Sequence, residues 1–176
     1  MTAIELPNLR LEIEIVLRLA RQDDLTKLEW YGQYAHFRPL FRRAFKEQQV
    51  GRRWMLLADY NGFPIGQLFV QLVSAEEEIA DSVSRGYLYA LRVMEMFRGQ
   101  GIGTRLVEAA EARLVRDGYQ WATIAVAKEN PAARRLYERM GYQIFRDDPG
   151  EWRYRDHQGK ARNVREPCWI MEKSLI

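Results

Sequence analysis

The segment "RGQGIGTRL", residues Arg98 to Leu106, has three glycines among its first six residues. Ordering a glycine costs more backbone entropy than ordering any other residue, so this density indicates a special backbone shape or a close approach to the backbone. A helix start carries unpaired N–H groups and a partial positive charge, and glycines let a phosphate reach them. Because the segment follows an apolar run and precedes a helical pattern, it predicts an anion-binding turn, to which Arg98 can add a charge-assisted hydrogen bond.

Neither common nucleotide-binding motif fits this turn. The Walker loop needs Gly-Lys-Ser/Thr at the helix start, but Gly103-Thr104 is followed by Arg105 and the turn contains no lysine. The dinucleotide fingerprint needs G-x-G-x-x-G, and counted from Gly99 the third glycine comes one residue early. The alternatives that remain are another phosphate ligand and a purely structural strand-to-helix turn.

Hydrophobic periodicity and turn residues predict the elements on either side of this turn. Apolar residues at helical spacing predict helices over residues 21–34, 37–49, 104–118 and 130–141. Runs rich in β-branched and aromatic residues predict strands over 11–19, within 52–73, and over 86–93, 121–127, 142–146 and 168–175. The run 52–73 is a hairpin because Asn61-Gly62 is a strong turn signal. A long polar segment precedes the last strand, with a turn at residues 156–159.

This order of elements predicts a mixed α/β (α+β) fold, with an antiparallel meander and a parallel βαβ crossover around the glycine turn. The 176 residues are expected to form a single domain, 1–176.

A single cysteine excludes an internal disulfide and a multi-cysteine metal site, so a reducing cytoplasm is the simplest location. We expect no metal, no signal peptide and no membrane span. A net charge of +3 is too weak, taken alone, to indicate nucleic-acid binding.

Two motifs together resemble the GNAT superfamily of acyl-CoA-dependent N-acetyltransferases. "VMEMFRGQGIGTRLV" is similar to the family signature Gln/Arg-x-x-Gly-x-Gly/Ala, and "NPAARRLYERMGY" is similar to its second motif. The matching residues are Arg98, Gly101 and Gly103 in the first motif, and Asn130, Tyr137 and Gly141 in the second. The resemblance covers residues 11–176. It implies a mostly antiparallel central sheet of six to seven strands, splayed between the fourth and fifth strands and flanked by about four helices.

The resemblance implies that acetyl-CoA is the cosubstrate. The pyrophosphate would be bound by Arg98, Gly99, Gln100, Gly101, Ile102, Gly103 and Thr104. The pantetheine arm would pair with the backbone of Leu91, Arg92 and Val93 and would be reached by Asn130. Tyr137 would give a proton to the departing CoA thiolate. The residues themselves leave simpler interpretations open, with Asn130 as a plain N-cap and Tyr137 as a core residue.

The acceptor is an amine that the sequence does not identify, either a small molecule or a protein amine. In the family, the first helices and the loop before the fourth strand wall the acceptor site, which points to Glu29, Trp30, Tyr34 and the acidic run 76–81. The core faces of two helices explain the first three equally well.

Some family members carry a glutamate base on the strand before the loop, whereas this strand offers Tyr87 and Tyr89. Water relayed by these tyrosines is our hypothesis for the proton acceptor. Cys168 has no histidine nearby in sequence, which favours a buried neutral thiol over a nucleophile.

Two other functions compete with acetyl transfer. The first is a non-catalytic acyl-CoA sensor or interaction module on the same fold, since a fold does not guarantee an activity. The second is nucleic-acid binding, which only the pI near 9.1 suggests. An intact Tyr137 beside an intact glycine turn favours the enzyme. The resemblance leaves the oligomeric state open, with a homodimer as one form.

Overall fold

The computed structural model describes residues 12–176. In this range the helices are α1 (Asp24–Lys27), α2 (Arg38–Gln49), α3 (Ile102–Arg116) and α4 (Pro131–Arg139). The strands are β1 (Val16–Leu19), β2 (Arg53–Tyr60), β3 (Phe63–Gln71), β4 (Arg85–Val93), β5 (Trp121–Ala127), β6 (Gln143–Asp148), β7 (Glu151–Arg155), β8 (Ala161–Arg165) and β9 (Cys168–Ser174). The predicted start of the first strand, at residue 11, lies outside the described residues. Among the described helices, none is long and apolar enough to cross a bilayer.

The central sheet has seven strands in the order β1-β2-β3-β4-β5-β9-β6. The β4–β5 pair is parallel and the other neighbours are antiparallel. The β2–β3 hairpin turns at Asn61 and Gly62, which both have positive φ, as the predicted Asn-Gly turn requires. The predicted mixed, mostly antiparallel sheet with four helices is therefore confirmed.

Each face of the sheet carries a hydrophobic cluster. On one face, α3 contributes Leu106, Val107, Ala110 and Leu114, which have no exposed surface. This stripe is the predicted apolar face of the helix. The helix lies so close to β4 that a Cβ on Gly86 would overlap the Leu114 side chain. On the other face, α2 packs Phe41, Ala44 and Phe45 against β2 and β3.

The predicted helix over residues 21–34 is wrong, because only α1 is an α-helix there. Trp30 and Tyr31 both have positive φ, which ends helical geometry. The Trp30 ring is buried and its Nε1–H donates to the Pro64 carbonyl at 2.9 Å. Asp24 is also buried, and it accepts from Arg18 and from the Arg21 N–H. These tertiary contacts override the helical pattern that the sequence displays.

The polar segment before the last strand also departs from expectation. It forms a separate two-stranded hairpin, β7–β8, around the predicted turn at residues 156–159. The Asp156 carboxylate accepts from the N–H groups of Gln158 and Lys160, both at 2.9 Å, and so closes this turn. Sequence periodicity missed the strands because few of their side chains are apolar or buried.

The acidic run 76–81 ends in a tight loop that starts β4. The Asp81 carboxylate accepts from the N–H groups of Val83, Ser84 and Arg85 at 2.7–3.0 Å, and from the Ser84 hydroxyl at 2.5 Å. Burial alone would raise the pKa of Asp81, but these hydrogen bonds to the charged form hold it well below its usual value. The charged carboxylate therefore stabilises the loop that positions β4.

We expect Asp81→Asn to lower the free energy of unfolding at pH 7 by roughly 1–2 kcal/mol, since the amide loses the charge-assisted bonds. Because the folded pKa is depressed, this contribution is present above the unfolded pKa and disappears as pH falls through the folded pKa. Urea unfolding from pH 7 to pH 2 should show the difference between wild type and variant shrinking. A difference that does not change with pH would contradict this role; Ser84→Ala, which removes one bond, should cost less.

Candidate active site

The site begins with a bulge in β4. Gln67 of β3 pairs with Arg92, and Phe69 pairs with Tyr89, so β4 has one more residue than β3 over this stretch. Ala90 has a φ of 55°, an uncommon conformation for a residue with a side chain. The buried Gln67 amide supports it by donating to the Ala90 carbonyl at 3.1 Å. Bulges of this kind redirect a strand and end its pairing.

The bulge separates β4 from its parallel neighbour. The β4–β5 pairing runs from Arg85–Trp121 to Leu88–Ile124 and then stops. The rest of β5 pairs only with β9. The predicted splay between the fourth and fifth strands is thus present, and Leu91, Arg92 and Val93 lie in the part of β4 that pairs with β3 but no longer with β5. Their backbone has no strand on the β5 side to satisfy it.

The glycine turn lies just beyond this splayed segment. Gly99 and Gly101 have φ values of 75° and 81°, the left-handed conformation that glycine adopts without strain. Gly101 caps α3 without a side-chain hydrogen bond, and the first N–H to bond back is that of Arg105, to the Gly101 carbonyl at 3.0 Å. In the described chain, the N–H groups of Ile102, Gly103 and Thr104 have no backbone acceptor. The predicted cradle of free N–H groups at a helix start is present.

Two further residues shape this turn. Arg98 donates from Nε to the Val93 carbonyl at 2.9 Å, which ties the turn to the end of β4. Gly103 faces β4, where an added Cβ would stand 3.8 Å from the Leu91 side chain, an ordinary contact. The fold would therefore accept alanine at this position, as the Gly/Ala alternative in the motif suggests. A groove of about 420 Å³ between α3 and α4 starts at Thr104 and passes Leu136.

The second motif forms α4, across this groove from α3. Asn130 is the N-cap of α4, since its Oδ1 accepts a hydrogen bond from the Ala133 N–H at 3.0 Å. Asn130 therefore has the structural role of a helix cap, independently of any role in binding. Tyr137 is 5% exposed and its ring meets Tyr142 edge-on at 5.9 Å. Burial raises the pKa of Tyr137 to about 12, so its phenol is neutral at pH 7.

Tyr87 and Tyr89 lie on the opposite face, with their rings stacked 5.6 Å apart. The Tyr89 hydroxyl accepts a hydrogen bond from Arg53. Burial raises the pKa of both phenols, so both remain protonated near neutral pH. Their protonated hydroxyls can hydrogen-bond a water molecule, but they cannot accept a proton as a carboxylate base would.

The other residues predicted for the acceptor divide into two groups. Glu29 is buried and paired with Arg38, whose Nε and Nη2 donate at 2.5 and 2.8 Å, while the Trp30 indole is buried against Pro64. These contacts favour the core roles that the sequence left open for Glu29 and Trp30. Tyr34 instead lies in an aromatic cluster beside the bulge, with the Arg92 guanidinium 4.6 Å from its ring centre.

Sequence reasoning placed Tyr34 and Phe37 near the acceptor but missed Trp152 and Tyr154, which extend this aromatic cluster. The centre of the Phe37 ring lies 6.5 Å from that of Trp152 and 5.4 Å from that of Tyr154. Hairpin β7–β8 therefore reaches the face where Arg92 lies. The alternation Trp152-x-Tyr154 in a polar segment was the available signal. The acidic run lies against β6, where Glu76 and Glu78 pair with Arg146 at 2.5 and 3.2 Å.

The alternative chemistries lack support. Cys168 is buried, and burial raises the pKa of its thiol, so it is a neutral group near pH 7. In the described part of the chain, no group of three or more His, Cys, Asp and Glu residues is arranged to hold a metal ion.

Comparison with known proteins identifies the family. Residues 16–142 match the model of the Acetyltransferase (GNAT) family, which is more than half of the chain. The chain belongs to this family. N-alpha-acetyltransferase 30 of Schizosaccharomyces pombe is 31% identical over 75 residues, which are 42% of this chain and 50% of that protein. This chain thus spans about half the length of that curated relative.

Solved structures share the fold over nearly the whole chain. The ribosomal-protein-S18-alanine N-acetyltransferase of Escherichia coli has a TM-score of 0.67 at 20% identity, covering 92% of this chain and 94% of its own. Arabidopsis thaliana Naa50, solved in complex with the bisubstrate analogue CoA-Ac-MVNAL, has a TM-score of 0.66 at 20% identity. It covers 91% of this chain and 98% of its own.

The glycine turn gives a prediction with a matched control. Gly101 and Gly118 lie at opposite ends of α3, both with positive φ and open space where a Cβ would stand. We expect Gly101→Asp and Gly118→Asp each to lose about 1–2 kcal/mol of stability, because each forces a side chain into the left-handed region. Only Gly101→Asp should weaken acetyl-CoA binding, by roughly tenfold or more, since its carboxylate repels phosphate at the helix start.

Calorimetric titration of acetyl-CoA into both variants checks this expectation. Gly101→Asn adds nearly the same volume without the charge and should fall between wild type and Gly101→Asp. Equal affinities for the two aspartate variants would show that the turn does not bind the phosphates.

Proposed function

We propose that this protein transfers an acetyl group from acetyl-CoA to an amine by direct attack. The observation that carries the proposal is the continuous arrangement of three features: a glycine turn with free N–H groups, the unpaired segment of β4, and Tyr137 on α4. Family membership supports it, as do relatives named as N-acetyltransferases.

In this proposal the chain binds acetyl-CoA largely with backbone groups. The N–H groups at the start of α3 bind the pyrophosphate, and the outer guanidinium nitrogens of Arg98 extend from its Nε anchor on Val93. The unpaired backbone of Leu91 to Val93 pairs with the amide-rich pantetheine arm, as an added strand would. A backbone N–H of the same segment stabilises the oxyanion that forms when the amine attacks the thioester.

Tyr137 is the proposed general acid. Its neutral phenol can give a proton to the sulfur as the carbon–sulfur bond breaks, so that CoA leaves as a thiol. A phenol with a pKa of about 12 is a weak acid for a thiolate in water, where a thiol has a pKa of about 8.5. The apolar surroundings that raise the pKa of Tyr137 would raise the pKa of the thiol as well, so the two pKa values differ less in the site than this comparison suggests.

The amine must lose a proton, and its surroundings favour a relay. Tyr87 and Tyr89 stay protonated, and Tyr89 is already bonded to Arg53. We propose that water ordered by these two hydroxyls takes the proton from the amine towards solvent.

Acetyl-CoA should stabilise the folded protein. At a concentration of about 100 times Kd the gain is about 2.7 kcal/mol, which raises the Tm by roughly 5–10 °C for a chain of this size. Differential scanning fluorimetry measures the shift, and release of free CoA on a panel of amines measures turnover. An unchanged Tm at saturating acetyl-CoA would refute the proposal, and a shift without turnover on any amine would favour an acyl-CoA sensor.

Tyr137→Phe should lower kcat by roughly 100-fold or more and leave the Kd for acetyl-CoA nearly unchanged, because it removes only the proton donor. The control is Tyr142→Phe, since Tyr142 touches the Tyr137 ring and its own hydroxyl is buried without a hydrogen-bond partner. That variant should keep its kcat and lose no stability. Stopped-flow or steady-state CoA release distinguishes them, and a Tyr137→Phe kcat within a few-fold of wild type would exclude a general acid.

A further inference from the structure

Arg92 is a cation without an anionic partner at the acceptor side of the bulge. Its guanidinium lies 4.6 Å from the ring centre of Tyr34 and 4.9 Å from that of Phe37. It takes part in no ion pair or side-chain hydrogen bond with another described residue. Burial lowers the pKa of Arg92, which reflects the loss of water around its charge. Contact with aromatic faces offsets only part of the cost of burying a charge.

The carboxylates of the surrounding elements are already neutralised by other arginines. Glu29, in the turn after α1, is paired with Arg38 at 2.5 Å. Asp156, in the β7–β8 turn, is paired with Arg162 at 2.8 Å. Because neither carboxylate pairs with Arg92, the fold leaves the positive charge of Arg92 available.

The rest of the cluster is aromatic and adds no negative charge. The His36 and Phe37 rings are tilted against each other, with their centres 4.1 Å apart. The pKa of His36 is lowered first by burial and then by the charge of Arg92 and the neighbouring His157. The surface beside the bulge is therefore aromatic and electropositive. It would repel a polycationic acceptor and attract an anion, since a guanidinium binds a carboxylate through two parallel hydrogen bonds.

We propose that the Arg92 guanidinium, held against the rings of Tyr34 and Phe37, binds a carboxylate on the amine acceptor. The inference rests on the proposed acetyl transfer and names its substrate class: primary amines that carry a carboxylate near the amine. Arg92 belongs to the segment of β4 where the thioester would lie, so a carboxylate bound there brings a nearby amine towards the reacting carbonyl. The carboxylate is either the α-carboxylate of a free amino acid or an acidic side chain near the N-terminus of a peptide.

Two matched pairs of acceptors separate these sources. Alanine and alaninamide differ in the α-carboxylate, and C-terminally amidated peptides beginning Ala-Glu and Ala-Gln differ in the acidic side chain. Calorimetry on the CoA-loaded protein gives the Kd of each acceptor, and CoA release gives kcat/KM. For wild type we expect the carboxylate member of one pair to be preferred by about tenfold or more in both measurements.

Substitutions then test whether Arg92 carries the preference. Arg92→Met keeps a long apolar chain against the rings and should reduce the preference to near one, whereas Arg92→Lys should retain part of it. The matched control is Arg85→Met at the other end of β4. Arg85 also stacks on two rings, those of Trp121 and Phe145, but it is paired with Glu172, so its loss should leave the preference intact.

The outcomes separate the inference from the proposed function. Wild-type Kd ratios near one in both pairs would overturn the role of Arg92, and so would a preference that survives Arg92→Met. If the protein binds acetyl-CoA but none of the tested acceptors causes release of CoA, the proposed activity is contradicted. The Kd ratios of the acceptors would still decide the role of Arg92. The acetyl-CoA thermal shift verifies that each variant is folded, and Arg92→Gln replaces Arg92→Met if the latter is not.

Discussion

Parallel pairing between β4 and β5 stops at Leu88, and the organisation of the site depends on this break. The extra residue in β4 gives Ala90 a positive φ and turns the strand away from its neighbour. The buried Gln67 amide holds the turned backbone in place. A continuous sheet would have satisfied every backbone group here, and no extended ligand could have paired with it.

The segment of β4 beyond this break has side chains on both faces of the sheet. Beyond the bulge, Leu91 and Val93 pack with the α3 side, where the glycine turn and Tyr137 lie. Arg92 points to the other side, against the rings of Tyr34 and Phe37. In the proposed reaction, the donor and the acceptor of the acetyl group approach one short stretch of backbone from opposite faces. Arg98, by donating to the Val93 carbonyl, fixes the glycine turn relative to that stretch.

Local sequence was a good guide where local physics decides the conformation. The glycine-rich segment predicted a turn with free N–H groups at a helix start, and Asn61-Gly62 predicted a hairpin turn, both of which are present. The stripe from Leu106 to Leu114 predicted a buried helix face. Sequence was a poor guide at residues 21–34, where burial of Trp30 ended the helix, and at β7–β8, whose strands lack an apolar face.

The sequence by itself determined most of the elements, the glycine turn at the start of α3 and the resemblance that named Tyr137, because short-range conformation and motif spacing depend on residues that are close along the chain. Only the tertiary structure decided which charges remain unpaired. Glu29 looked like a substrate residue in the sequence, yet Arg38 neutralises it, while Arg92 looked like a backbone contact and proved to be a half-buried cation without an ion pair among the described residues. Ion pairing joins residues that are distant along the chain, so a linear pattern does not contain it.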